Sequence, residues 1–275
     1  MRLLKGHHQA LTEIMFGLIQ HWELTFAMAR REIADRYIGQ NFGFLWALVH
    51  PLFMMAVYVF VFCFVFKTKM GGTLEMPRDY ITYLLSGLVA WMGFQESMAK
   101  SCVAITSNVS LVKQVVFPLE ILPVKGVVSS LFQQIIMLLL LVAYVFISYG
   151  SLPWTYLLLP PLIVLQAIAM IGIAYFLSAI GSYFRDLKDF VQLFAVAGIY
   201  LLPVVYLPSW VPPVFKPFLY ANPFSYFIWC YQDVLYFGRI AHPWAWGICF
   251  VESIVFLIVG YRLFRKLKLG FGNVL

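Results

Sequence analysis

The longest uncharged stretch of this chain reads GVVSSLFQQIIMLLLLVAYVFISYGSLPWTYLLLPPLIVLQAIAMIGIAYFLSAIGSYF, from residue 126 to residue 184. A helix needs about 20 apolar residues to cross the hydrocarbon core of a bilayer, so the stretch is too long for one crossing. It is interrupted at residues 148–153, where Gly150 and Pro153 favour a turn. The stretch therefore predicts two membrane-spanning helices, at about 124–147 and 155–182.

The composition of the whole chain agrees with a membrane location. Of its 275 residues, 63% are hydrophobic and 11% are charged, whereas a soluble domain is about 45–50% apolar and about 25% charged. A water-exposed surface cannot be built from so few charges. This excludes a soluble enzyme, a disordered chain and a nucleic-acid-binding module, and it predicts an all-α membrane protein.

Four further apolar stretches predict spans at about 42–66, 80–105, 190–206 and 240–261. The expected organisation is a cytoplasmic segment at 1–41, a domain of six transmembrane helices at 42–265 and a cytoplasmic tail at 266–275. Of the 19 Lys and Arg residues, 14 fall on the side of the two chain ends. Because cytoplasmic loops carry the excess of Lys and Arg, both termini are expected in the cytoplasm.

Two segments outside the six spans have unusual patterns. Residues 207–239 contain five prolines and many aromatic side chains but few charges, which predicts re-entrant outer-side helices between spans 5 and 6; an interfacial loop with an aromatic belt is the alternative. Residues 11–33 predict an amphipathic helix at the inner interface, with a small soluble helix as the alternative. Its predicted apolar face contains Leu11, Met15, Leu18, Trp22, Thr25, Phe26, Ala29 and Ile33.

Three charged residues lie away from the ends of the predicted spans or can pair within them. Glu96 and Lys100 are four residues apart on one helix face, which favours a local ion pair over a proton relay. Glu252 lies nearer the middle of span 6 and is the candidate intramembrane acid, because burying an isolated carboxylate there costs about 3 kcal/mol. It either has a function or accepts a hydrogen bond from a neighbouring helix.

The chain has no sequence pattern typical of catalysis. The dipeptide Gly-Lys never occurs, so there is no Walker-type phosphate loop. No Cys-x-x-Cys motif, His cluster or pair of carboxylates indicates a metal or catalytic site. We expect a protein that is not an enzyme and has no cofactor of its own; if ATP drives it, ATP and Mg²⁺ bind another subunit.

Six short motifs in order resemble the type 2 ABC permeases, the membrane subunits of polysaccharide exporters. Residues 31–37, REIADRY, with 43–46, GFLW, and Pro51 resemble the family's entry to span 1. Lys113, Phe117-Pro118 and Pro123 resemble its inner loop, and residues 184–187, FRDL, its next one. Residues 203–206, PVVY, with Asn222-Pro223 and Asp233, resemble its outer region, and residues 266–268, KLK, its tail. After Phe117-Pro118 the family often has a basic residue, whereas Leu119-Glu120 follow here.

The resemblance implies a homodimer with two ATP-binding subunits in the bacterial inner membrane. It implies export of lipid-linked cell-surface polysaccharide, O-antigen first and capsule or teichoic acid next. A type 2 ABC exporter of drugs or small lipids, and an ion-coupled carrier, are the alternatives. The candidate site residues are Asn108, Lys113, Phe117 and Pro118 for coupling to the ATPase; Trp46, Tyr58, Tyr200 and Tyr206 for the substrate conduit; and Arg31, Arg36, Arg185 and Asp186 for the inner gate.

Overall fold

The computed structural model describes residues 20–66, 77–113 and 117–274, and every regular element in these ranges is helical. Eleven α-helices lie within them: α1 (Trp22–Tyr37), α2 (Trp46–Val59), α3 (Tyr80–Val103), α4 (Val109–Val112), α5 (Ile121–Tyr149), α6 (Leu159–Gly181), α7 (Leu187–Leu201), α8 (Lys216–Ala221), α9 (Pro223–Gln232), α10 (Pro243–Lys268) and α11 (Phe271–Val274). Turns of 3₁₀ helix precede α2 and α6, and π-helical turns extend α2 to Val65 and α9 to Phe237.

Four helical stretches among the described residues are long and apolar enough to cross a membrane. They are Gly43–Val65, Ile121–Tyr149, Trp154–Gly181 and Pro243–Lys268. The predicted break between residues 148 and 153 is present: Gly150 ends α5 with a left-handed φ of 68°, which favours glycine, and Pro153 is extended. The protein is therefore an all-helical integral membrane protein.

Helix α3 lies in the middle of the bundle and α6 packs closely along α10. Leu84, Leu88 and Trp91 of α3 are fully buried. At the crossing of α6 and α10, two glycines allow the backbones to touch, since a Cβ built on Gly260 would lie 1.9 Å from the carbonyl oxygen of Gly172. Small residues at such a crossing are a common means of helix association in membranes.

The two ends of the bundle can be told apart by their contacts. We call the end that contains the last turns of α1, α3 and α10, together with α4 and α11, the terminal end. The opposite end contains residues 77–79, the turn at 150–158 and residues 233–242, which lie close together around Arg78 and Pro153.

The proline-rich stretch 207–239 is folded into α8, α9 and the π-helical turn Asp233–Phe237. Carbonyl groups left free by the irregular turn are satisfied by neighbouring loops. Thr155 Oγ1 donates to the Val234 oxygen at 2.7 Å, and Arg78 Nη1 donates to the Leu235 oxygen at 3.1 Å. Val234 and Leu235 are fully buried, so this backbone is enclosed by protein.

Two helices differ in extent from the predicted spans. The stretch predicted as a span at 190–206 forms a helix only to Leu201, because Pro203 holds Leu202 in an extended conformation with ψ of 157°. Helix α7 therefore has 15 residues and is about 22 Å long. Helix α10 instead continues beyond residue 261 to Lys268.

The amphipathic helix predicted at 11–33 is described from residue 20 onward, and residues 11–19 lie outside the described ranges. Helix α1 continues to Tyr37, and the apolar residues of its predicted face differ in burial. Thr25 and Ala29 are buried against the bundle, whereas Trp22 and Phe26 are half-exposed and stack on each other with centroids 6.0 Å apart. One part of the predicted apolar face thus contacts the bundle and another part is turned outward, and the location of this helix at the inner interface stays a prediction.

Candidate functional site

A groove of about 680 Å³ opens between the end of α1 and helices α2, α3 and α5. Its walls combine charged groups, amides and apolar side chains, which suits an amphiphilic ligand. The lining residues are Arg36, Tyr37, Gln40, Trp46, His50, Pro51, Met92, Gly93, Gln95, Glu96, Ala99, Gln133, Gln134 and Met137.

Gln133 of α5 holds two walls of the groove in place. Its Nε2 donates to the carbonyl oxygen of Ala47 on α2 at 3.2 Å, and its Oε1 accepts from the hydroxyl of Tyr37 on α1 at 3.3 Å. The two partners flank the turn between α1 and α2. The amide therefore fixes the position of that turn relative to α5.

A charged cluster of Glu32, Arg36, Glu96, Lys100 and Lys125 borders the groove at the terminal end. The closest pairs are Arg36 Nη2 with Glu96 Oε1 at 2.6 Å and Lys100 Nζ with Glu96 Oε1 at 3.0 Å. Glu32 lies 3.4 Å from Lys100 and 3.7 Å from Lys125. The predicted Glu96–Lys100 ion pair is confirmed, and it belongs to a network that joins α1, α3 and α5.

The environment of Arg36 keeps its guanidinium charged. Partial burial acts to lower the pKa of Arg36, but the charge of Glu96 and the hydrogen bond to it outweigh that effect, so the pKa lies above its ordinary value. The charged cluster contains three basic and two acidic groups, and it therefore has an excess of one positive charge.

Behind the groove, three polar side chains form a buried network. Gln134 Nε2 donates to Gln166 Oε1 at 2.7 Å and to the Tyr231 hydroxyl at 3.0 Å, and Gln166 Nε2 donates to the Ala90 oxygen at 3.2 Å. Among the described residues, Gln134 Oε1 has no hydrogen-bond partner. Gln134 thus links the groove wall to α6 and to α9.

The groove contains two of the residues predicted for function, Arg36 and Trp46. The other predicted conduit residues lie elsewhere. Tyr58 of α2 and Tyr200 of α7 are neighbours outside the groove, and Tyr200 is largely exposed. The backbone oxygen of Tyr206 accepts from the hydroxyl of Tyr83 at 2.9 Å.

The remaining residues predicted for the inner gate are on the surface. Arg31 is exposed and lies 3.6 Å from Asp35, one helical turn away. Arg185 and Asp186 are exposed in the short connection before α7. None of the three lines the groove described above.

The predicted coupling residues all lie at the terminal end; they are Asn108, Lys113, Phe117 and Pro118. Between residues 106 and 113 the regular elements are a 3₁₀ turn at Thr106–Asn108 and the single turn of α4, and residues 114–116 are outside the described ranges. Asn108 precedes α4, but its side chain does not cap that helix. Asn108 Nδ2 donates instead to the carbonyl oxygen of Ala104 at 2.8 Å, so its side chain binds the end of α3, a local bond that competes with capping.

One carboxylate oxygen of Glu252, Oε2, is buried and accepts no hydrogen bond from the described part of the chain. A hydrogen bond from a neighbouring helix was one of the two alternatives for Glu252. Among the described contacts, no neighbouring helix donates one to this oxygen. Glu252 lies on α10, far from the charged cluster in sequence and near Tyr226 and Cys230 of α9.

Our sequence reasoning missed most polar residues of the groove. Several are amides within apolar stretches, where each unpaired polar group is costly and therefore informative. The missed residues are Gln40, His50, Gln95, Gln133 and Gln134. The signal was present in residues 131–138, LFQQIIML, but a sequence does not show which side of a buried helix faces a groove.

Comparisons with known proteins agree with this architecture. The chain is 26% identical over 266 residues to the O-antigen export system permease protein RfbA of Klebsiella pneumoniae, covering 96% of this chain and 99% of that protein. It is 28% identical over 259 residues to the protein of the same name from Myxococcus xanthus, with 93% and 96% covered. It is also 21% identical over 242 residues to the polysialic acid transport protein KpsM of Escherichia coli, with 87% and 91% covered.

The family match covers most of the described structure. The model of the ABC-2 type transporter family matches residues 23–236, which extend from the start of α1 to the π-helical turn after α9. This range includes the whole groove and the charged cluster. The resemblance inferred from six short motifs is confirmed, and the chain belongs to the ABC-2 type transporter family.

Proposed function

We propose that this chain is the membrane-spanning permease subunit of an ATP-driven exporter of lipid-linked cell-surface polysaccharide, with O-antigen as the cargo. The observation that carries the proposal is the nearly full-length similarity to O-antigen export permeases from two bacterial genera. The chain has no phosphate-binding loop of its own, so a separate subunit supplies ATP hydrolysis.

The groove supports an amphiphilic cargo. Its terminal end carries the charged cluster with an excess of positive charge, while Trp46, Met92 and Met137 provide apolar wall. Charged groups at one end and apolar surface at the other suit a molecule with an anionic headgroup and a hydrocarbon chain. In this proposal the terminal end is the cytoplasmic side.

The proposal includes six crossings, both chain ends in the cytoplasm and a homodimer bound to two ATPase subunits in the bacterial inner membrane. The two crossings added to the four apolar stretches are α3 and α7. Polar and charged residues of α3, such as Glu96 and Lys100, face α1 and α5 rather than lipid. This explains why α3 is less hydrophobic than the four apolar stretches although it is long enough to span a membrane. Segment 108–118 contacts the ATPase, and residues 207–239 form the outer side.

The test is export by purified components. The chain and its partner ATPase are reconstituted into vesicles with an undecaprenyl-linked glycan, and glycan reaching the opposite face is measured. We expect export that needs ATP and both subunits. Export or ATP hydrolysis by this chain alone would refute the proposal, and transport of a small lipid without glycan would support the alternative cargo.

An ion-coupled carrier is distinguished by Glu252, whose unpartnered buried oxygen is the observation that favours it. In an ATP-driven permease we expect Glu252→Gln to lose less than about half of the export rate, because Gln keeps the shape and one acceptor oxygen. In an ion-coupled carrier the same change abolishes transport. The measurement is export rate at fixed ATP with and without a proton gradient.

A further inference from the structure

The segment proposed to contact the ATPase is packed onto the C-terminal end of α10. A second cluster of buried apolar side chains, which we call the terminal core, lies at the terminal end of the bundle and is separate from the main hydrophobic core. It brings Val112, within the segment, and Leu119, just after it, together with Phe264 and Phe271. The segment and the last turns of α10 therefore share one packed core.

An ion pair crosses the same contact. Lys268 Nζ at the end of α10 lies 2.7 Å from Glu120 Oε1, just after Pro118, and both side chains are about one-third exposed. The hydroxyl of Tyr183 donates to the oxygen of Leu267 at 3.0 Å, which holds the same turn of α10 against the end of α6. The end of α10 is thus fixed on two sides.

Helix α10 provides a rigid connection from this contact to the other end of the bundle. It has 26 residues and is about 39 Å long. Along its length it contacts α6 at the Gly172–Gly260 crossing, and Ser253 Oγ donates to the Leu165 oxygen at 2.9 Å. Near its first turn, Trp246 Nε1 donates to Asp233 Oδ2 at 3.2 Å, in the π-helical turn of the outer segment.

We propose that Glu120 and Lys268 are positioning residues that transmit movement of segment 108–118 to the joined helices α6 and α10, and through α10 to the segment at 207–239. This inference rests on the proposed function. A packed helix pair moves as a unit because its backbones are in contact. The ion pair joins that unit to the ATPase-facing segment.

The test uses charge reversal in the reconstituted complex with its ATPase, with glycan exported per ATP hydrolysed as the readout. Glu120→Lys and Lys268→Glu each place like charges at the contact, and each is expected to lower this ratio about three- to thirty-fold. The double exchange, E120K with K268E, restores the attraction and is expected to return the ratio to within about two-fold of the unchanged protein.

The matched control is Lys266→Glu, which makes the same charge change two residues from Lys268 at an exposed position. It is expected to leave the ratio unchanged. If a reversal variant does not assemble with the ATPase, Glu120→Gln and Lys268→Gln replace the pair and are read in the same way.

The outcomes separate the two proposals. If the unchanged complex exports no glycan, the proposed function fails before any variant is compared. If the unchanged complex exports glycan but the single reversals leave the ratio unaltered, or the double exchange does not restore it, the transmission role of Glu120 and Lys268 is overturned. If each reversal lowers the amount of glycan exported per ATP hydrolysed and the double exchange restores it, the proposal is supported. An ion pair with a purely structural role would not change this ratio.

Discussion

The carboxylate of Glu96 joins two helices that are far apart in sequence. Its Oε1 accepts from Arg36 of α1 and lies 3.0 Å from Lys100 on its own helix. The side chain is 23% exposed, so solvent screens the interaction only in part. A carboxylate in that setting contributes more than an exposed surface pair does, because its partners would otherwise keep partly buried charges without compensation.

We expect Glu96→Gln to destabilise the protein by about 1–3 kcal/mol, because it leaves Arg36 and Lys100 facing each other without the anion between them. The measurement is the free energy of unfolding by denaturant in mixed micelles. The control is Asp35→Asn, which removes a carboxylate that is 58% exposed and 3.6 Å from Arg31, with an expected cost under about 0.5 kcal/mol. Equal effects of both changes would contradict the importance of the charged cluster.

Asp79 is a second carboxylate, and its neighbours shift its pKa. It caps the start of α3, where it accepts from the Thr82 backbone N–H at 3.1 Å and from the Thr82 hydroxyl at 2.7 Å. Tyr144 and Tyr149 of α5 also donate to it. Partial burial acts to raise the pKa of Asp79, but these hydrogen bonds outweigh burial and lower the pKa below its ordinary value.

The lowered pKa of Asp79 predicts a pH dependence with a definite sign. The stabilisation is complete above the ordinary carboxyl pKa of about 3.9, and it is lost as pH falls through the lower pKa of the folded protein. We expect Asp79→Asn to cost about 1 kcal/mol near neutral pH, because Asn can still cap the helix but its neutral amide accepts weaker hydrogen bonds from Tyr144 and Tyr149 than the carboxylate does. The difference in unfolding free energy between the two proteins should shrink toward pH 3; a difference that stays constant or grows there would rule out this linkage.

Among the helices, α6 and α10 show how a backbone contact sets the architecture. A Cβ on Gly172 would lie 2.3 Å from the carbonyl carbon of Phe256, and one on Gly260 would lie 1.9 Å from the oxygen of Gly172. Neither neighbouring group is a flexible side chain. The two helices can therefore be this close only because both positions lack a Cβ.

We expect Gly260→Ala to destabilise the bundle by about 1–3 kcal/mol, since the added methyl group must push the α6 backbone away. The matched control on the same helix is Gly247→Ala, where a Cβ would meet nothing within 4 Å. Alanine is the better helix former, so that change is expected to be neutral or stabilising by up to about 1 kcal/mol. Thermal unfolding in detergent compares the two, and similar midpoints would argue against the close crossing.

The helices also show where local patterns fail. The break after α5 was predictable, because Gly150 and Pro153 act on the backbone at their own positions. The end of α7 was predicted five residues late, although Pro203 was visible, because the apolar residues 202–206 continued the hydrophobic run. Hydrophobicity identifies residues that leave water, but it does not distinguish a helix from a buried extended segment.

At the level of the molecule, the proposed arrangement puts the terminal end in the cytoplasm and the opposite end outside. The six-crossing proposal depends on α7, whose 15 residues are about 22 Å long and shorter than the hydrocarbon core of about 30 Å. If α7 crosses together with residues 202–206, the two chain segments that flank it are on opposite faces of the membrane.

We expect single cysteines at Leu269 and Val214 to react from opposite faces of the membrane. Both positions are largely exposed, at 91% and 77%, so a membrane-impermeant thiol reagent has access to them. In intact cells Val214→Cys should be modified and Leu269→Cys should react only after the membrane is opened. The unsubstituted chain provides the background of its own four cysteines, and modification of both positions in intact cells would refute the proposed orientation.

Composition alone was enough to establish a helical membrane protein, because so few charges cannot cover a soluble surface, and the order of short motifs was enough to identify the family. The pairing of Glu96 with Lys100 was also predictable, since four residues make one helical turn. The groove was not, because Gln40, His50, Gln95 and Gln133 come from separate segments and meet only when α2, α3 and α5 pack together. The ion pair of Glu120 with Lys268 joins residues 148 positions apart in the sequence, and it was not predictable for the same reason. Local spacing determines contacts within a helix, whereas contacts between helices depend on the angles at which buried faces pack.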